Sequence, residues 1–511
     1  STRFGNVSQI HRVEQPGGAR TQLTFFPEPV RSVQRQPDGS RLLFSRDAGG
    51  SEFTQLYLFD PDSGEQPRLL TDGESRNGSV RWNDTGKLIA YQSTRRNGSS
   101  NDIWLQSVKE PGSARMVLES PDGTYWGPAD FSMDDSRLLV GNFVGNSDSR
   151  IHLLDLASGN MRLLAGDPDN PGRNLPLAFD RKGEGFWFLT DSGGDFLQLA
   201  WQSLEEGASP ELISGDINWN VEQFALDRSR MRGAFTVNED GYSRLYLIDL
   251  WKKNLAPAQG IPRGLVGSMV FSPDGRKLGL TLNNARTPSD SFVLSFDARF
   301  PGPGKLERWT YSELGGLKSG NFVEPELIHY PTFDSDSGGP ESIPAWLYLP
   351  PGPGPHPVII SIHGGPESQS RPGFRYSTQM WLEKLGAAVI FPNVRGSSGY
   401  GRTFMSLDND YLREDSVKDI GALLDWVAAR KELDSQRVAV IGGSYGGYMV
   451  LASAVHYSER LKAAIDVVGN SNFVTFLENT QDYRRDLRRV EYGDERDPQM
   501  RAYLEKISPL N

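Results

Sequence analysis

A serine set between glycines follows a short apolar run near residue 440. Residues 438–441 read Val-Ala-Val-Ile without alternation, as expected of a strand buried on both faces, and Gly-Gly-Ser-Tyr-Gly-Gly follows at 442–447. A helix is predicted over 448–457. Strand, G-x-S-x-G and helix form the pattern of a nucleophile elbow, whose tight turn holds a serine hydroxyl at the carboxyl end of a sheet. The pattern predicts Ser444 as a nucleophile in a strained conformation. Glycine is expected at 442 and 446 because side chains there would collide with the neighbouring strand and helix.

An oxyanion formed at Ser444 needs two backbone N–H donors. Tyr445 follows the serine at the start of the predicted helix, and its N–H is one candidate donor. The second is expected from the loop after an earlier strand, where the chain reads Ile-His-Gly-Gly-Pro at 362–366. Two such elements together favour acyl transfer over a glycine-rich turn with only a structural role.

A serine hydroxyl is a weak nucleophile until a histidine, oriented by a carboxylate, accepts its proton. The motif of His363 works through backbone amides, and His456 lies twelve residues beyond the serine, about 18 Å along the predicted helix. His329 and His356 precede Ser444, whereas this fold orders its triad as Ser, then Asp or Glu, then His. The triad base is therefore expected to be absent from this sequence.

The remaining candidates for a triad are assigned structural roles. His11 and His152 occupy strand positions that carry aromatic residues in other copies of the repeat described below. Asp466 lies within a predicted strand at 463–468. The arginine-rich segment that follows is expected to form a solvated surface. Its acidic residues are Asp482, Asp486, Glu491, Asp494 and Glu495.

An internal repeat covers the first 300 residues. Each copy of the repeat consists of a turn, a residue that is basic in most copies, and an apolar strand. The residues in equivalent positions, just before the strand, are 41, 87, 137, 184, 230 and 277. A second apolar strand follows 13 to 16 residues later. A period of about 40–50 residues with several strands per unit is typical of a β-propeller blade. Residues 9–13 match the second strand of a further copy whose turn would precede Ser1. The repeat therefore predicts seven blades, the first incomplete, in a chain cut at its N-terminus.

The second part of the chain has a different pattern. After a predicted hairpin at 327–349, strands are expected at 358–362, 387–391, 438–441 and 463–468, with helices at 379–385 and 416–432 between them. This alternation predicts an α/β-hydrolase domain, a parallel sheet with helices on both faces. The predicted domains are residues 1–310 and 311–511.

The amino-acid composition argues against several classes of partner and binding site. Lys and Arg number 54 against 65 Asp and Glu, a net charge of −11, which argues against nucleic acid or an anionic membrane as a partner. Cysteine is absent, so neither a disulfide framework nor a cysteine metal site is expected. No cofactor or metal is expected. A homo-oligomer is compatible with the sequence, which does not separate a cytoplasmic from a periplasmic or secreted location.

Three motifs following a propeller resemble the prolyl oligopeptidase family of serine peptidases, in particular its acylaminoacyl-peptidase-like branch. They are GGSYGGYM at 442–449, HGGP at 363–366 and NVRGSSGYG at 393–401, and segment 466–489 and the closing ISPLN also resemble bacterial members. The resemblance implies Ser444 as nucleophile, the N–H groups of Gly365 and Tyr445 as oxyanion donors, and catalytic Asp and His residues beyond Asn511. The hydrolase domain is then expected to be incomplete at its C-terminal end.

The resemblance also implies a substrate class. A propeller that caps the hydrolase site would admit short peptides and exclude folded proteins. Glu205 and Glu206 could hold a substrate amine, as a glutamate pair does in dipeptidyl-peptidase relatives, but a solvated turn is favoured. Arg395 could contact substrate or serve structure. There are two alternatives: a catalytically inactive protein whose propeller acts as a binding module, or an esterase of the α/β-hydrolase type. Residues 1–511 alone are expected to turn over substrate weakly or not at all.

Overall fold

The computed structural model describes residues 7–37, 39–110, 112–296 and 300–511. Within these ranges the N-terminal part consists of six four-stranded antiparallel sheets and one two-stranded sheet. The two-stranded sheet pairs β1 (His11–Val13) with β2 (Arg20–Gln22). The strands of the six larger sheets, one sheet after another, are β3–β6 (Ser32–Arg35, Leu42–Arg46, Gln55–Phe59, Arg68–Leu69), β7–β10 (Asn77–Trp82, Leu88–Ser93, Asp102–Ser107, Arg115–Leu118), β11–β14 (Tyr125–Phe131, Arg137–Gly145, Asp148–Asp155, Met161–Ala165), β15–β18 (Asn174–Phe179, Gly185–Thr190, Gln198–Ser203, Glu211–Leu212), β19–β22 (Val221–Leu226, Arg232–Glu239, Tyr242–Asp249, Asn254–Pro257) and β23–β26 (Leu265–Phe271, Lys277–Asn284, Thr287–Phe296, Gly304–Arg308).

The sequence repeat corresponds to these sheets. Each repeated turn leads into the second strand of a sheet, and each second apolar segment lies in or overlaps the third strand. Consecutive sheets share apolar cores, such as the one that joins Phe235 of β20 to Trp187 of β16. The predicted β-propeller architecture is confirmed.

The two-stranded sheet lies between the last and the first of the larger sheets. The N–H of Gly17 donates to the carbonyl oxygen of Trp309 at 3.0 Å, next to the last sheet. Ile10 packs with Phe44 of the first sheet. Six four-stranded blades are therefore present among the described residues, and the count of seven stays a prediction that rests on β1 and β2.

The C-terminal part is built on a six-stranded sheet in the order β27-β28-β30-β29-β31-β32. These strands are β27 (Glu326–Tyr330), β28 (Ile343–Tyr348), β29 (His356–Ile362), β30 (Ala388–Pro392), β31 (Leu433–Gly443) and β32 (Ala463–Val467). The predicted hairpin is present, with β27 and β28 antiparallel, and β29, β30, β31 and β32 pair in parallel as expected, but β28 also pairs antiparallel with β30, so the sheet is mixed. The hairpin between β27 and β28 reverses the chain before the parallel β29, β30, β31 and β32 begin.

Helices surround this sheet. They are α1 (Tyr376–Met380), continued by a π-helical turn (Trp381–Leu385), α2 (Arg402–Met405), α3 (Asp415–Ala428), α4 (Tyr445–Tyr457), α5 (Phe473–Asn479), α6 (Asp482–Tyr492) and α7 (Pro498–Ile507). Short 3₁₀ turns cover Ser319–Asn321, Asp410–Leu412 and Ser458–Arg460. Val417, Ile420 and Leu424 of α3 are buried in the main core with β31 and α4, as their spacing predicts. No helix in the described ranges is long and apolar enough to cross a membrane.

The two parts of the chain are joined by polar contacts near the carboxyl ends of the sheet strands. Arg371, in the loop after β29, donates to the carbonyl oxygen of Gly241 at 2.8 Å and to Glu222 at 2.7 Å. At the start of α2, the N–H of Thr403 donates to Asp195 at 2.6 Å. The propeller therefore faces the loops that follow the strands of the hydrolase sheet. The domain boundary at residue 310 stays a prediction.

Candidate active site

Ser444 is the single residue between strand β31 and helix α4. It follows Gly443, the last residue of β31, and caps α4 with φ 57° and ψ −123°. This left-handed region is strained for a residue other than glycine and is held only where the surroundings demand it. Its N–H donates to the carbonyl oxygen of Val467 at 3.0 Å, and the residue is exposed. The structure thus places the Ser444 hydroxyl at the positive end of a helix and open to the cleft.

The glycines around Ser444 are required by packing. A Cβ on Gly442 would lie 2.3 Å from the carbonyl oxygen of Gly446, and a Cβ on Gly446 would lie 2.3 Å from that of Ile362. Both distances are far below any van der Waals contact. The expectation that glycine is needed at 442 and 446 is confirmed.

The loop after β29 passes directly against the elbow. A Cβ on Gly364 would lie 3.3 Å from the Cβ of Ser444. Gly365 has φ 139°, a conformation that favours glycine, and its carbonyl oxygen accepts a 3.2 Å hydrogen bond from the hydroxyl of Tyr492. Tyr445 is the first residue of α4, so its N–H is among those that a helix leaves without an internal acceptor. The two proposed oxyanion donors therefore belong to segments that meet at Ser444.

None of the six histidines serves as a base at Ser444 among the described residues. The Nδ1 of His363 lies 2.9 Å from the carbonyl oxygen of Gly364, and its Nε2 lies 2.9 Å from the hydroxyl of Ser397. Burial lowers the pKa of His363, which favours the neutral form of its ring. His456 contacts Glu414 at 3.1 Å.

The other histidines lie in strands. His11 is in β1, His152 in β13, His329 in β27 and His356 at the start of β29. His152 packs against Trp126 with ring centroids 5.0 Å apart, and burial lowers its pKa to about 4. These positions agree with the structural roles predicted for His11 and His152.

Arg395 has a structural environment. It is 3% exposed, and its guanidinium donates to Asp334 at 2.7 Å and to Asp419 at 2.9 Å. Burial alone would lower its pKa, but the hydrogen bonds to the two carboxylates outweigh that effect and raise it. This arrangement fixes the segment after β30 to α3 and favours the structural alternative for Arg395 over contact with substrate.

Three acidic positions can be compared with the sequence expectations. Glu205 and Glu206 are exposed in the turn after β17, as expected for a solvated pair. Asp466 accepts a 2.8 Å hydrogen bond from the N–H of Gly469. Its Oδ1 lies so close to Gly447 of α4 that a Cβ there would be only 2.2 Å from it. Asp466 therefore packs beneath the elbow helix, which agrees with a structural role.

The expectation that the acidic residues after 480 form a solvated surface is wrong for two of them. Glu491 is 6% exposed and Glu495 is 3% exposed. Glu495 is paired with Arg489, and the carbonyl oxygen of Glu491 accepts a 2.6 Å hydrogen bond from Arg413. Glu491 is buried because α6 lies against the turn at residues 143–148 and beside Glu367 of the oxyanion loop, a long-range contact with no local sequence signal.

Sequence reasoning also missed a buried ion pair behind Tyr445. Arg413 donates to Asp408 at 2.7 Å, and both side chains are at most 1% exposed. The Tyr445 hydroxyl contacts the same carboxylate at 3.3 Å and Ser416 at 3.0 Å. Burial raises the pKa of Asp408 to about 6 although Arg413 opposes the shift. This network holds the side chain of Tyr445 in place. Across the described ranges, no group of three or more His, Asp or Glu side chains is arranged to hold a metal ion.

Comparison with known proteins agrees with this geometry. The model of the prolyl oligopeptidase family matches residues 372–511, and that of its N-terminal β-propeller domain matches residues 29–254. Dipeptidyl aminopeptidase BIII of Pseudoxanthomonas mexicana is 23% identical over 95% of this chain and 77% of its own length. The acylamino-acid-releasing enzyme of Rattus norvegicus is 34% identical over 21% of this chain and 15% of its own length.

Solved structures share the fold. A puromycin-hydrolysing peptidase of Mycobacterium tuberculosis superposes with a TM-score of 0.80 at 18% identity, covering 98% of this chain and 79% of that one. A prolyl endopeptidase structure also gives 0.80 at 18% identity, covering 96% and 73%. The two family models each match their own part of the chain. The chain therefore belongs to the prolyl oligopeptidase family of serine peptidases, with an N-terminal β-propeller followed by the hydrolase domain.

Proposed function

We propose that this protein hydrolyses short peptides through an acyl-enzyme formed on Ser444, as an acylaminoacyl-peptidase or oligopeptidase. The observation that carries the proposal is the strained φ of 57° at Ser444, which sets its hydroxyl at the N-terminus of α4. Strain of this kind is retained where function depends on it.

The proposed reaction has two steps. The Ser444 oxygen attacks the peptide carbonyl carbon while its proton passes to a base, and the oxyanion is stabilised by the N–H groups of Gly365 and Tyr445. The amine then leaves with a proton, and water releases the acyl group by the reverse sequence. Family membership supports peptides as substrates. The propeller's contacts with the loops around Arg371 and Thr403 support a cap that admits only short chains.

One observation favours a second candidate. Among the described residues, no histidine nitrogen lies within hydrogen-bonding distance of the Ser444 hydroxyl, so an inactive propeller-containing binding module remains the competing function. An esterase is disfavoured, because a propeller cap is a size filter that the hydrolysis of small esters does not require.

Labelling with a serine-directed fluorophosphonate, followed by mass spectrometry of the digested protein, separates these functions. A single adduct on Ser444, lost in Ser444→Ala and retained in Ser458→Ala at the opposite end of α4, supports the peptidase. An unlabelled Ser444 in the folded protein would overturn the proposal and leave the binding module.

A further inference from the structure

Four polar side chains, called here the interface cluster, join the propeller to the oxyanion loop between β29 and α1. Glu222 and Asn238 belong to neighbouring strands of one blade, β19 and β20, whereas Gln369 and Arg371 belong to the loop. The Nδ2 of Asn238 donates to Glu222 at 2.9 Å and to Gln369 at 2.7 Å. Arg371 donates to the other oxygen of Glu222 at 2.7 Å. The four side chains therefore form one continuous set of hydrogen bonds across the domain interface.

Asn238 is fixed in one orientation. It is buried, and its Oδ1 accepts a 2.9 Å hydrogen bond from the N–H of Gly241. A flipped amide would place this oxygen against the side-chain oxygens of Glu222 and Gln369, and its NH₂ group against a backbone N–H. Only the observed orientation gives each group a partner of the right kind. The blade therefore presents to the loop a donor whose position does not adapt.

Arg371 is held at three points by the same blade. Besides Glu222, its guanidinium donates to the carbonyl oxygen of Gly241 at 2.8 Å and to the hydroxyl of Ser243 at 3.0 Å. The side chains of Arg371 and Glu222 are both mostly buried. Because the donors of a guanidinium form a rigid planar fork, three acceptors on one blade leave the side chain little freedom to reorient. Arg371 therefore fixes its part of the loop to the propeller.

The hydrolase domain holds the backbone of the residues that alternate with Gln369 and Arg371. The N–H of Ser370 donates to Asn393 at 2.7 Å. The carbonyl oxygen of Ser368 accepts a 2.9 Å hydrogen bond from the backbone N–H at position 398. Successive residues of this stretch thus engage opposite domains. The path of the loop is therefore set jointly by the hydrolase domain and by the blade.

The conformation of Gly365 depends on what holds the loop on either side of it. Its φ of 139° is one of many values open to glycine, so the residue itself does not fix the direction of its N–H. Before it, the chain is held at Gly364, where a Cβ would lie 3.3 Å from that of Ser444. After it, the interface cluster holds the chain at Gln369, four residues on. Displacement of Gln369 is therefore expected to turn the N–H of Gly365 away from Ser444.

We propose that Glu222 and Asn238 of the propeller are positioning residues for acyl transfer, because they hold the oxyanion loop through Gln369 and Arg371. This inference rests on the proposed function and adds to it. Besides limiting the size of substrates, the propeller orients the N–H of Gly365 toward the oxyanion. The blade that contains β19 and β20 is then part of the machinery around Ser444, although it contacts no reacting atom.

The thiol of Ser444→Cys tests this role without turnover, and the chain has no other cysteine. The N–H groups of Gly365 and Tyr445 stabilise a thiolate at 444, so a displaced loop raises the thiol pKa. In this background Glu222→Gln and Arg371→Gln are each expected to raise it by at least about 0.5 unit, which slows alkylation by iodoacetamide about threefold below that pKa. Above the thiol pKa the rates should converge, since access to the sulfur is unchanged. The direct effects of the two lost charges on the thiolate have opposite signs, so a rise in both variants reports the loop.

Two further variants locate the effect. Glu222→Gln combined with Arg371→Gln should raise the thiol pKa no further than the larger single change, because both act through one pair. Asp195→Ala is the matched control, since it removes a contact between the propeller and Thr403 of α2, outside the oxyanion loop, and should leave the pKa unchanged. An unchanged pKa in both single variants would overturn the proposal. An equal rise in Asp195→Ala would also overturn it, because the effect would then come from domain docking in general.

Fluorophosphonate labelling of the protein with Ser444 intact separates this inference from the proposed function. An unlabelled Ser444, with the thiol pKa still raised by Glu222→Gln, would remove the peptidase and keep the role of the blade. A labelled Ser444, with the same thiol pKa in every variant, would keep the peptidase and remove that role. Glutamine is isosteric with the glutamate it replaces at 222, so the fold is retained, and thermal denaturation of each variant verifies this.

Discussion

The hydroxyl of Tyr492 donates a 3.2 Å hydrogen bond to the carbonyl oxygen of Gly365. This contact joins the last residue of α6 to the loop whose N–H is proposed to stabilise the oxyanion. The loop turns sharply at Gly365, where φ is 139°, so its orientation depends on what holds that carbonyl. Tyr492 is therefore proposed to be a positioning residue for the oxyanion loop.

Tyr492→Phe tests that role. Loss of a hydrogen bond worth about 1 kcal/mol should slow fluorophosphonate labelling of Ser444 about fivefold without unfolding the protein. Tyr448→Phe is the matched control, because the Tyr448 hydroxyl is buried without a hydrogen-bond partner in the described part of the chain. Equal labelling rates for the two variants would show that Tyr492 does not position the loop.

The elbow glycines give a second comparison. Gly442→Ala places a methyl group 2.3 Å from a backbone oxygen, which should lower the free energy of unfolding by about 1–3 kcal/mol or more. Gly443→Ala meets nothing closer than 3.5 Å and should be neutral within about 1 kcal/mol. Urea denaturation of both variants measures the difference. Similar unfolding midpoints would mean that the strand-to-helix turn is looser than the structure shows.

Arg395 is predicted to matter for stability. Arg395→Met would leave Asp419, whose side chain is fully buried, without its partner, and removal of one member of a buried pair costs about 3–5 kcal/mol. Arg430→Met breaks the exposed pair with Glu432 and should cost less than about 1 kcal/mol. Thermal and urea denaturation compare the two. Equal losses would argue against a structural role for Arg395.

The predicted parts of the fold are those encoded locally. The turn and strand at residues 41, 87 and 137 recur at intervals of 46 and 50 residues, so the blades follow from short segments of sequence. Ser444 was found because the elbow needs a glycine pattern within a few residues. The hairpin at 327–349 was predicted, but the antiparallel pairing of β28 with β30 was not, because strand pairing within the sheet depends on contacts between distant segments.

The burial of Glu491 is a clearer example of a feature that local sequence patterns do not predict. The segment that contains it is rich in arginine and acidic residues, which predicts a solvated helix face. It is buried because the turn at 143–148 and the oxyanion loop at Glu367 pack against α6, more than 100 residues away along the chain. No periodicity within α6 contains that information.

The pH dependence of stability tests the burial of Glu491. Its pKa is raised to about 9 in the folded protein, above the value of 4.5 for a free side chain. Between these values the folded state holds a proton that the unfolded state has lost, so this group's contribution to stability falls as pH rises from about 5 to 9. The free energy of unfolding of the wild type should therefore decline relative to that of Glu491→Gln, by up to about 1.4 kcal/mol per pH unit. Parallel curves would show that Glu491 is ionised in both states.

A cysteine at position 444 would report the electrostatics of the elbow without any catalytic base. The chain contains no cysteine, so Ser444→Cys introduces the only thiol, and Ser458→Cys places one at the other end of the same helix. The positive N-terminal end of α4 should lower the thiol pKa at 444, whereas the negative end should not lower it at 458. Alkylation by iodoacetamide at pH 7 is then expected to be about tenfold faster at 444. Equal rates, with equal pH profiles, would mean that α4 and the oxyanion loop do not stabilise negative charge at this position, and the proposed acyl transfer would lose its electrostatic basis.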